Sequence, residues 1–132
     1  MTDKPVPLPE SQELLASQAK TWAGLTSIEE RRAAWRVYAA SMSRPAPDTL
    51  ILTDQTVPSP ARDVPIRIYR HRGEAKPLPC IMYMHGGGFM MGDLDTSDSV
   101  AWGLADLTGA QVVSVDYRLT PENPFPAAFD DC

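Results

Sequence analysis

The chain has 132 residues, of which 43% are hydrophobic and 22% are charged, and these proportions are those of one ordinary globular domain. They exclude a disordered, collagen-like or coiled-coil protein. The formal net charge of −5, from 12 basic and 17 acidic residues, disfavours a basic binding surface, so we expect no nucleic-acid partner. No stretch of the sequence approaches the ~20 apolar residues that a membrane span requires.

Two helices are predicted in the first 47 residues. Three prolines in residues 1–10 indicate an extended segment, and residues 11–22 have the pattern of a short helix. The second helix begins with an S-x-x-E capping box formed by Ser27 and Glu30, or with the T-x-x-E pair one residue earlier.

The second predicted helix has an apolar side and a charged side. Four apolar side chains recur at helical spacing: Ile28, Trp35, Tyr38 and Met42. Three arginines are expected to face water: Arg31, Arg32 and Arg36. Pro45 and Pro47 end the helix, because a proline disfavours the helical conformation of the residue before it.

From residue 50 the pattern changes to that of strands. Residues 51–57 form a candidate strand that is closed by two prolines. Residues 64–69 alternate between apolar and other side chains and contain a proline, which indicates a half-buried strand near a sheet edge. The two strands have the pattern of an antiparallel pair.

A parallel unit is predicted next. Residues 80–84 form a continuous apolar run, typical of a parallel strand covered on both faces, and Cys80 is expected to pack there as a small hydrophobic residue. A helix follows from near Asp95 to a C-terminal cap at Gly109, and residues 112–115 form a second buried strand. Strand, helix and strand in this order indicate a βαβ unit and an α/β fold class.

Four glycines follow the apolar run within seven residues, in the segment His85–Gly92. A dinucleotide-binding loop needs G-x-G-x-x-G at the start of a helix; the last glycine falls one residue late here, but Asp116 is placed as a ribose-binding acid would be. A mobile turn without chemistry is a second interpretation. The third is an oxyanion hole, in which backbone N–H groups stabilise the negative oxygen of an acyl-transfer intermediate and glycines let the substrate approach the backbone.

Three blocks of sequence resemble, in order and spacing, the hormone-sensitive-lipase-like family of α/β-hydrolase carboxylesterases with an HGGG motif: His85–Phe89, Gly92–Thr96 and Val115–Ala128. The resemblance is specific over residues 79–132, and over 1–78 only the order of elements supports it. It implies an incomplete α/β-hydrolase fold. Residues 1–47 would then be N-terminal cap helices, and 48–132 would contain the first strands of the hydrolase core.

The resemblance also implies roles for the glycine loop. Gly87 and Gly88 would supply the oxyanion N–H groups, while His85, Gly86 and Phe89 complete the motif, with His85 bracing the loop instead of acting as a base. It implies neither a cofactor nor a metal, and the expected partner is a small-molecule ester with a short to medium acyl chain. Four aspartates near the predicted helix fit N-terminal helix acids better than a calcium loop: Asp93, Asp95, Asp98 and Asp106.

The Ser/Asp/His triad of such an enzyme is not found in these 132 residues. None of the nine serines lies in a G-x-S-x-G elbow, and the two histidines are His85 and His71, the latter between two arginines. We therefore expect a carboxylic ester hydrolase that acts through a serine acyl-enzyme in the intact polypeptide, and a truncated chain that is inactive alone.

Other interpretations remain open. The chain could be a non-catalytic fragment that associates with a complementing chain, a homodimer subunit, or a nucleotide-binding α/β domain. Two cysteines, Cys80 and Cys132, are too few for a disulfide framework, and the N-terminus lacks the apolar run of a secretory signal. We therefore expect a cytoplasmic protein.

Overall fold

The computed structural model describes residues 8–74 and 76–132. Its elements are, in chain order, α1 (Pro9–Trp22), α2 (Ile28–Met42), β1 (Leu50–Val57), β2 (Val64–His71), β3 (Cys80–Met84), α3 (Asp98–Thr108), β4 (Gln111–Val115) and α4 (Ala127–Asp130). The extended segment predicted at the N-terminus lies mostly outside the described residues. Helix α1 begins two residues earlier than predicted, because its first position is Pro9 and proline is tolerated where a helix starts.

The N-terminus of α2 confirms one of the two predicted capping boxes. Ser27 Oγ accepts a hydrogen bond from the Glu30 N–H at 3.1 Å, and the Glu30 carboxylate accepts one from the Ser27 N–H at 3.0 Å. The Glu30 carboxylate also accepts a hydrogen bond from the Thr26 N–H, so this single side chain serves two backbone donors. These hydrogen bonds fix the start of the helix that carries Arg32 and Arg36.

The four strands form one mixed sheet in the order β1-β2-β4-β3. Strands β1 and β2 are antiparallel, as predicted, and β3 and β4 are parallel, which confirms the βαβ unit. The proline-containing strand lies near a sheet edge, as predicted, but it is not the edge strand itself, since β2 lies between the edge strand β1 and β4. Pro65 is accommodated because β4 pairs only with residues 66–69 of β2, so the position that lacks an N–H group stands outside that ladder.

Two clusters of buried side chains lie on the two faces of the sheet. Helix α3 packs on one face, in a cluster of Leu50, Tyr69, Ala101, Ala105 and Val112. The other face carries Val64, Ile66, Val113, Val115 and Tyr117. The alternation predicted for β2 is therefore confirmed, with its isoleucines and valine on one face and Tyr69 on the other.

Two local expectations about the βαβ unit were wrong. Strand β3 is not covered on both faces, because Met82 and Met84 are each 50% exposed and Cys80 is exposed. Helix α3 begins at Asp98 and not near Asp95, because Asp93 and Thr96 first form a turn of reciprocal side-chain-to-backbone hydrogen bonds. Among the described residues, no helix has the length and apolar character needed to cross a bilayer.

Candidate active site

The glycine loop directly follows β3, and its first residue is buried. His85 is only 4% exposed, its ring stacks on Tyr117 with 4.2 Å between centroids, and its Nδ1 lies 2.9 Å from the Gly86 carbonyl oxygen. The Tyr117 hydroxyl donates a hydrogen bond to the His85 carbonyl oxygen at 2.6 Å. The end of β4 thus holds the start of the loop by both a ring contact and a hydrogen bond.

Two positions in the loop require glycine. A Cβ on Gly87, where φ is +129°, would lie 2.0 Å from the Met91 carbonyl oxygen. A Cβ on Gly92, where φ is +102°, would lie 2.2 Å from His85 Nδ1. Both positions combine a left-handed backbone with a close approach, so no L-amino acid with a side chain fits them without displacement of the loop.

The hydrogen bonds within the loop determine which backbone groups face outward. The Gly87 carbonyl oxygen accepts the N–H groups of Met90 and Met91, both at 3.1 Å. In a trans peptide the C=O and N–H groups point in opposite directions, so the Gly88 N–H points away from this turn. Within residues 8–74 and 76–132, neither the Gly87 nor the Gly88 N–H has a hydrogen-bond partner.

A cavity of about 500 Å³ lies between the N-terminal helices and the glycine loop. The stacked rings of Trp22, Trp35 and Tyr38 line it on the helical side, with successive centroids 6.0 and 5.8 Å apart. Gly86 and Gly87 line it on the side of the loop. The cavity therefore joins an aromatic wall to backbone groups of the loop.

A second cavity of about 690 Å³ lies on the other side of the loop. Gly88 and Phe89 line it together with Phe125 and Phe129. Phe89 has a φ of +62°, which is unusual for a residue with a side chain, and its ring is 62% exposed. The loop therefore stands between two apolar cavities, with Gly87 lining the first and Gly88 lining the second.

Charged residues surround this site without entering the glycine turn. Burial raises the pKa of Asp116, at the end of β4, although the nearby Arg62 and His85 oppose that shift. Burial also acts to raise the pKa of Asp131, but hydrogen bonds from Arg118 outweigh it and hold that pKa below its usual range. Asp131 is thus held ionised in a site where its side chain has no solvent exposure.

The five predicted site residues occupy one continuous turn, from His85 to Phe89. Helix α3 begins only at Asp98, beyond an intervening acidic turn, so the glycines do not open a helix as a dinucleotide-binding loop requires. Of the predicted N-terminal helix acids, Asp98 does lie in the first turn of α3, and it also accepts hydrogen bonds from Arg67 and Tyr69. Asp95 lies before the helix and accepts a hydrogen bond from Arg67.

The role of one residue near the site was not predicted from the sequence. Arg32 was expected to face water, but its side chain is only 17% exposed and it bonds to the carbonyl oxygens of Met90 and Thr120 and to the carboxylate of Glu122. The partners lie 58 to 90 residues away in the sequence, so helical spacing alone gives no signal for them.

Comparison with known proteins places this geometry in a fold. A family described by the alpha/beta hydrolase fold matches residues 81–132. The solved structure of a hyperthermophilic esterase from Pyrobaculum calidifontis superposes with a TM-score of 0.84 at 34% identity, over 97% of this chain and 41% of that one. The chain has the α/β-hydrolase fold, of which it forms a partial four-stranded sheet with helices.

Curated relatives narrow the assignment. The chain is 41% identical to the carboxylic ester hydrolase LipN of Mycobacterium tuberculosis over 105 residues, which are 79% of this chain and 27% of LipN. It is 52% identical to the carboxylesterase NlhH of the same species over 71 residues, 52% of this chain and 22% of NlhH. The predicted resemblance to hormone-sensitive-lipase-like carboxylesterases is confirmed, and the chain spans about a quarter of the length of these relatives.

Proposed function

We propose that this chain contributes the oxyanion hole of a carboxylic ester hydrolase, with the Gly87 and Gly88 N–H groups as donors. The observation that carries the proposal is the orientation of the Gly87–Gly88 peptide. Its carbonyl oxygen is held inside the turn by two N–H groups, so its own N–H faces outward without a partner in the described chain. The similarity to LipN and NlhH supports the same reaction, since both proteins are named as ester hydrolases.

Such an arrangement suits the chemistry of ester hydrolysis. Attack on the ester carbonyl places a negative charge on its oxygen, and donors that already point at that position stabilise the charge without reorganising. The loss of one such donor typically costs about 3–4 kcal/mol of transition-state stabilisation. His85 would brace the loop through Tyr117 and Gly86, and Gly86 and Phe89 would complete the turn.

The nucleophile would come from outside these 132 residues. No serine here lies in a G-x-S-x-G elbow, and of the two histidines one is the buried His85 of the loop. We propose that Ser, Asp and His lie in the part of the polypeptide that the longer relatives have in addition. The 132-residue chain alone would then be inactive.

The substrate would be a small ester with a short to medium acyl chain. The 500 Å³ cavity has the size of a small-molecule site, and three aromatic rings line it on the helical side, where they offer apolar contact to an acyl chain. Division of the chain into cap helices at 1–47 and hydrolase core at 48–132 fits this proposal, because the aromatic wall comes from the first segment and the glycines from the second.

Ester hydrolysis and active-site labelling test the proposal together. The polypeptide encoded by the complete gene should hydrolyse nitrophenyl acetate and butyrate and should be labelled by a serine-reactive fluorophosphonate. The 132-residue chain, as the matched control, should show neither. A complete polypeptide that lacks both activities would overturn the proposal.

The open edge of β3 favours a second candidate function, that of a fragment completed by another chain. Strand β3 pairs only with β4 in the described residues, and an unpaired edge offers a row of backbone groups to a further strand. Native mass spectrometry of the purified chain distinguishes the cases: a co-purifying second polypeptide supports complementation, two copies support a homodimer, and a folded monomer supports neither.

A further inference from the structure

We infer that Arg32 of α2 is a positioning residue for the glycine turn, and that it sets the direction of the Gly88 N–H from the outside. The inference rests on the proposed function of Gly88, but its structural part does not. Arg32 uses four of its five N–H groups on three partners in the hydrolase core.

The geometry of Arg32 is that of a rigid fork. Its Nε–H donates to the Met90 carbonyl oxygen at 2.8 Å, and one Nη2–H donates to the Thr120 carbonyl oxygen at 2.8 Å. The remaining two bonds form a bidentate pair with the Glu122 carboxylate at 2.7 and 2.8 Å. The planar guanidinium therefore fixes the two carbonyl groups relative to each other, with Glu122 as its orienting partner.

Arg32 controls the first of two peptide groups directly. The Met90 carbonyl belongs to the same peptide as the Met91 N–H. Because Arg32 holds that carbonyl outward, the Met91 N–H points inward, where it donates to the Gly87 carbonyl oxygen.

Thr120 transmits the effect to the second peptide. Its carbonyl accepts from Arg32, and its N–H donates to the Phe89 carbonyl oxygen at 2.8 Å. The Phe89 carbonyl shares a peptide with the Met90 N–H, which is the other donor to Gly87. Both N–H groups that hold the Gly87 carbonyl are thus oriented by Arg32 or by its partner, and the Gly88 N–H direction follows from that carbonyl.

Neighbouring arginines of α2 do not share this arrangement. Arg36 pairs with Asp93 through Nε alone, at 2.9 Å, and its side chain is largely exposed. Arg31 is exposed, and its side chain has no hydrogen bond or ion pair with any residue of the described ranges. Arg31 is therefore a matched control for removal of an arginine from the same helix.

The test compares Arg32→Met with Arg31→Met by residue-resolved amide hydrogen exchange in the 132-residue chain. In Arg32→Met, the Met90 and Met91 amides should exchange at least about tenfold faster, while those of α3 keep their rates. Arg31→Met should leave both sets unchanged. Unchanged exchange at Met90 and Met91 in Arg32→Met, or an equal acceleration across the whole chain, would overturn the inference.

A second variant keeps the test informative if Arg32→Met does not fold. Arg32→Lys retains the charge but cannot form four simultaneous bonds in one plane, so Met90 and Met91 should be only partly protected. Full protection in Arg32→Lys would show that charge alone suffices and would refute the fork mechanism.

Kinetics of the complete polypeptide separate this inference from the proposed function. Arg32→Met should lower kcat by about 10- to 100-fold with little change in KM, as expected from misdirected donors and not from weaker substrate binding. An unchanged kcat would refute the positioning role. An inactive wild type would instead overturn the proposed function, and the exchange result would still decide whether Arg32 orients the turn.

Discussion

The contact between Gly87 and Met91 makes a sharp prediction about one methyl group. Replacing Gly87 with alanine would place a Cβ 2.0 Å from the Met91 carbonyl oxygen and 2.7 Å from its carbonyl carbon. Both are backbone atoms, so no side-chain rotation relieves the clash, and the turn must open. Opening it would release the two hydrogen bonds to the Gly87 carbonyl.

The expected change in the free energy of unfolding has three contributions. The φ of +129° at Gly87 lies where alanine is strained by about 1–3 kcal/mol, and an extra methyl group in a packed contact costs about another 1–3 kcal/mol. Alanine also restricts the unfolded chain more than glycine does, and this offsets about 0.4–1 kcal/mol of the lost stability. We therefore expect Gly87→Ala to reduce the free energy of unfolding by about 1–6 kcal/mol.

Gly88→Ala is the matched control within the same turn. Its φ is +62°, but a Cβ there meets no atom within 4 Å. The only cost to the folded state is therefore the left-handed conformation, about 1–2 kcal/mol, and the restriction of the unfolded chain by alanine offsets part of it, as at Gly87. Urea unfolding followed by tryptophan fluorescence would measure both variants. If they lose the same stability to within about 0.5 kcal/mol, the Met91 contact does not explain the glycine at 87.

Two further predictions concern carboxylates that pair with arginines. Asp131→Asn removes the charge that pairs with Arg118 at 2.8 Å and with Arg62 at 3.3 Å. Because two partly buried arginines lose their partner, the free energy of unfolding should fall by about 2–4 kcal/mol. A loss below about 1 kcal/mol in urea unfolding would contradict this. Hydrogen bonds from Arg32 lower the pKa of Glu122 to about 2, so this pair should stabilise the fold fully above about pH 4.5 and lose its effect as the pH falls toward about 2. A carbon-detected NMR titration of Glu122 checks the midpoint, and Arg32→Met should move it upward; a wild-type midpoint near 4.5 would refute the pairing.

The parts of the site that lie close together in sequence could be predicted. The capping box of Ser27 and Glu30 spans one helical turn, and its rule is local, so the start of α2 followed from residue types alone. The glycine loop was predictable for the same reason. The apolar strand β3 ends at Met84, and the residues that must tolerate a left-handed backbone follow it within a few positions.

The predictions that were wrong concern contacts between segments that are distant in the sequence. Arg32 was predicted to face water because it lies outside the apolar side of α2. Its partners are instead carbonyl groups and a carboxylate from two later loops. The apolar run of β3 predicted burial on both faces, whereas Met82 and Met84 are half exposed because no described residue covers that side. Periodicity records that a residue is apolar or charged but not which distant group it meets.

The contacts between the N-terminal helices and the rest of the chain affect how the site works. Helices α1 and α2 meet each other through stacked tryptophans, and this apolar surface lines the cavity. Polar contacts link α2 and the residues just after it to the rest of the chain: the Arg32 fork, the Arg36–Asp93 pair and a hydrogen bond from Trp102 to the Arg44 carbonyl oxygen.

Polar links of this kind are directional, while apolar contacts permit sliding. If residues 1–47 act as a cap, as we propose, the cap cannot move away from the sheet without releasing the Met90 and Thr120 carbonyl groups that Arg32 holds. Opening of the cavity and loss of the oriented Gly88 N–H would then be one event, so the proposed oxyanion donors would be aligned only while the aromatic wall is in place.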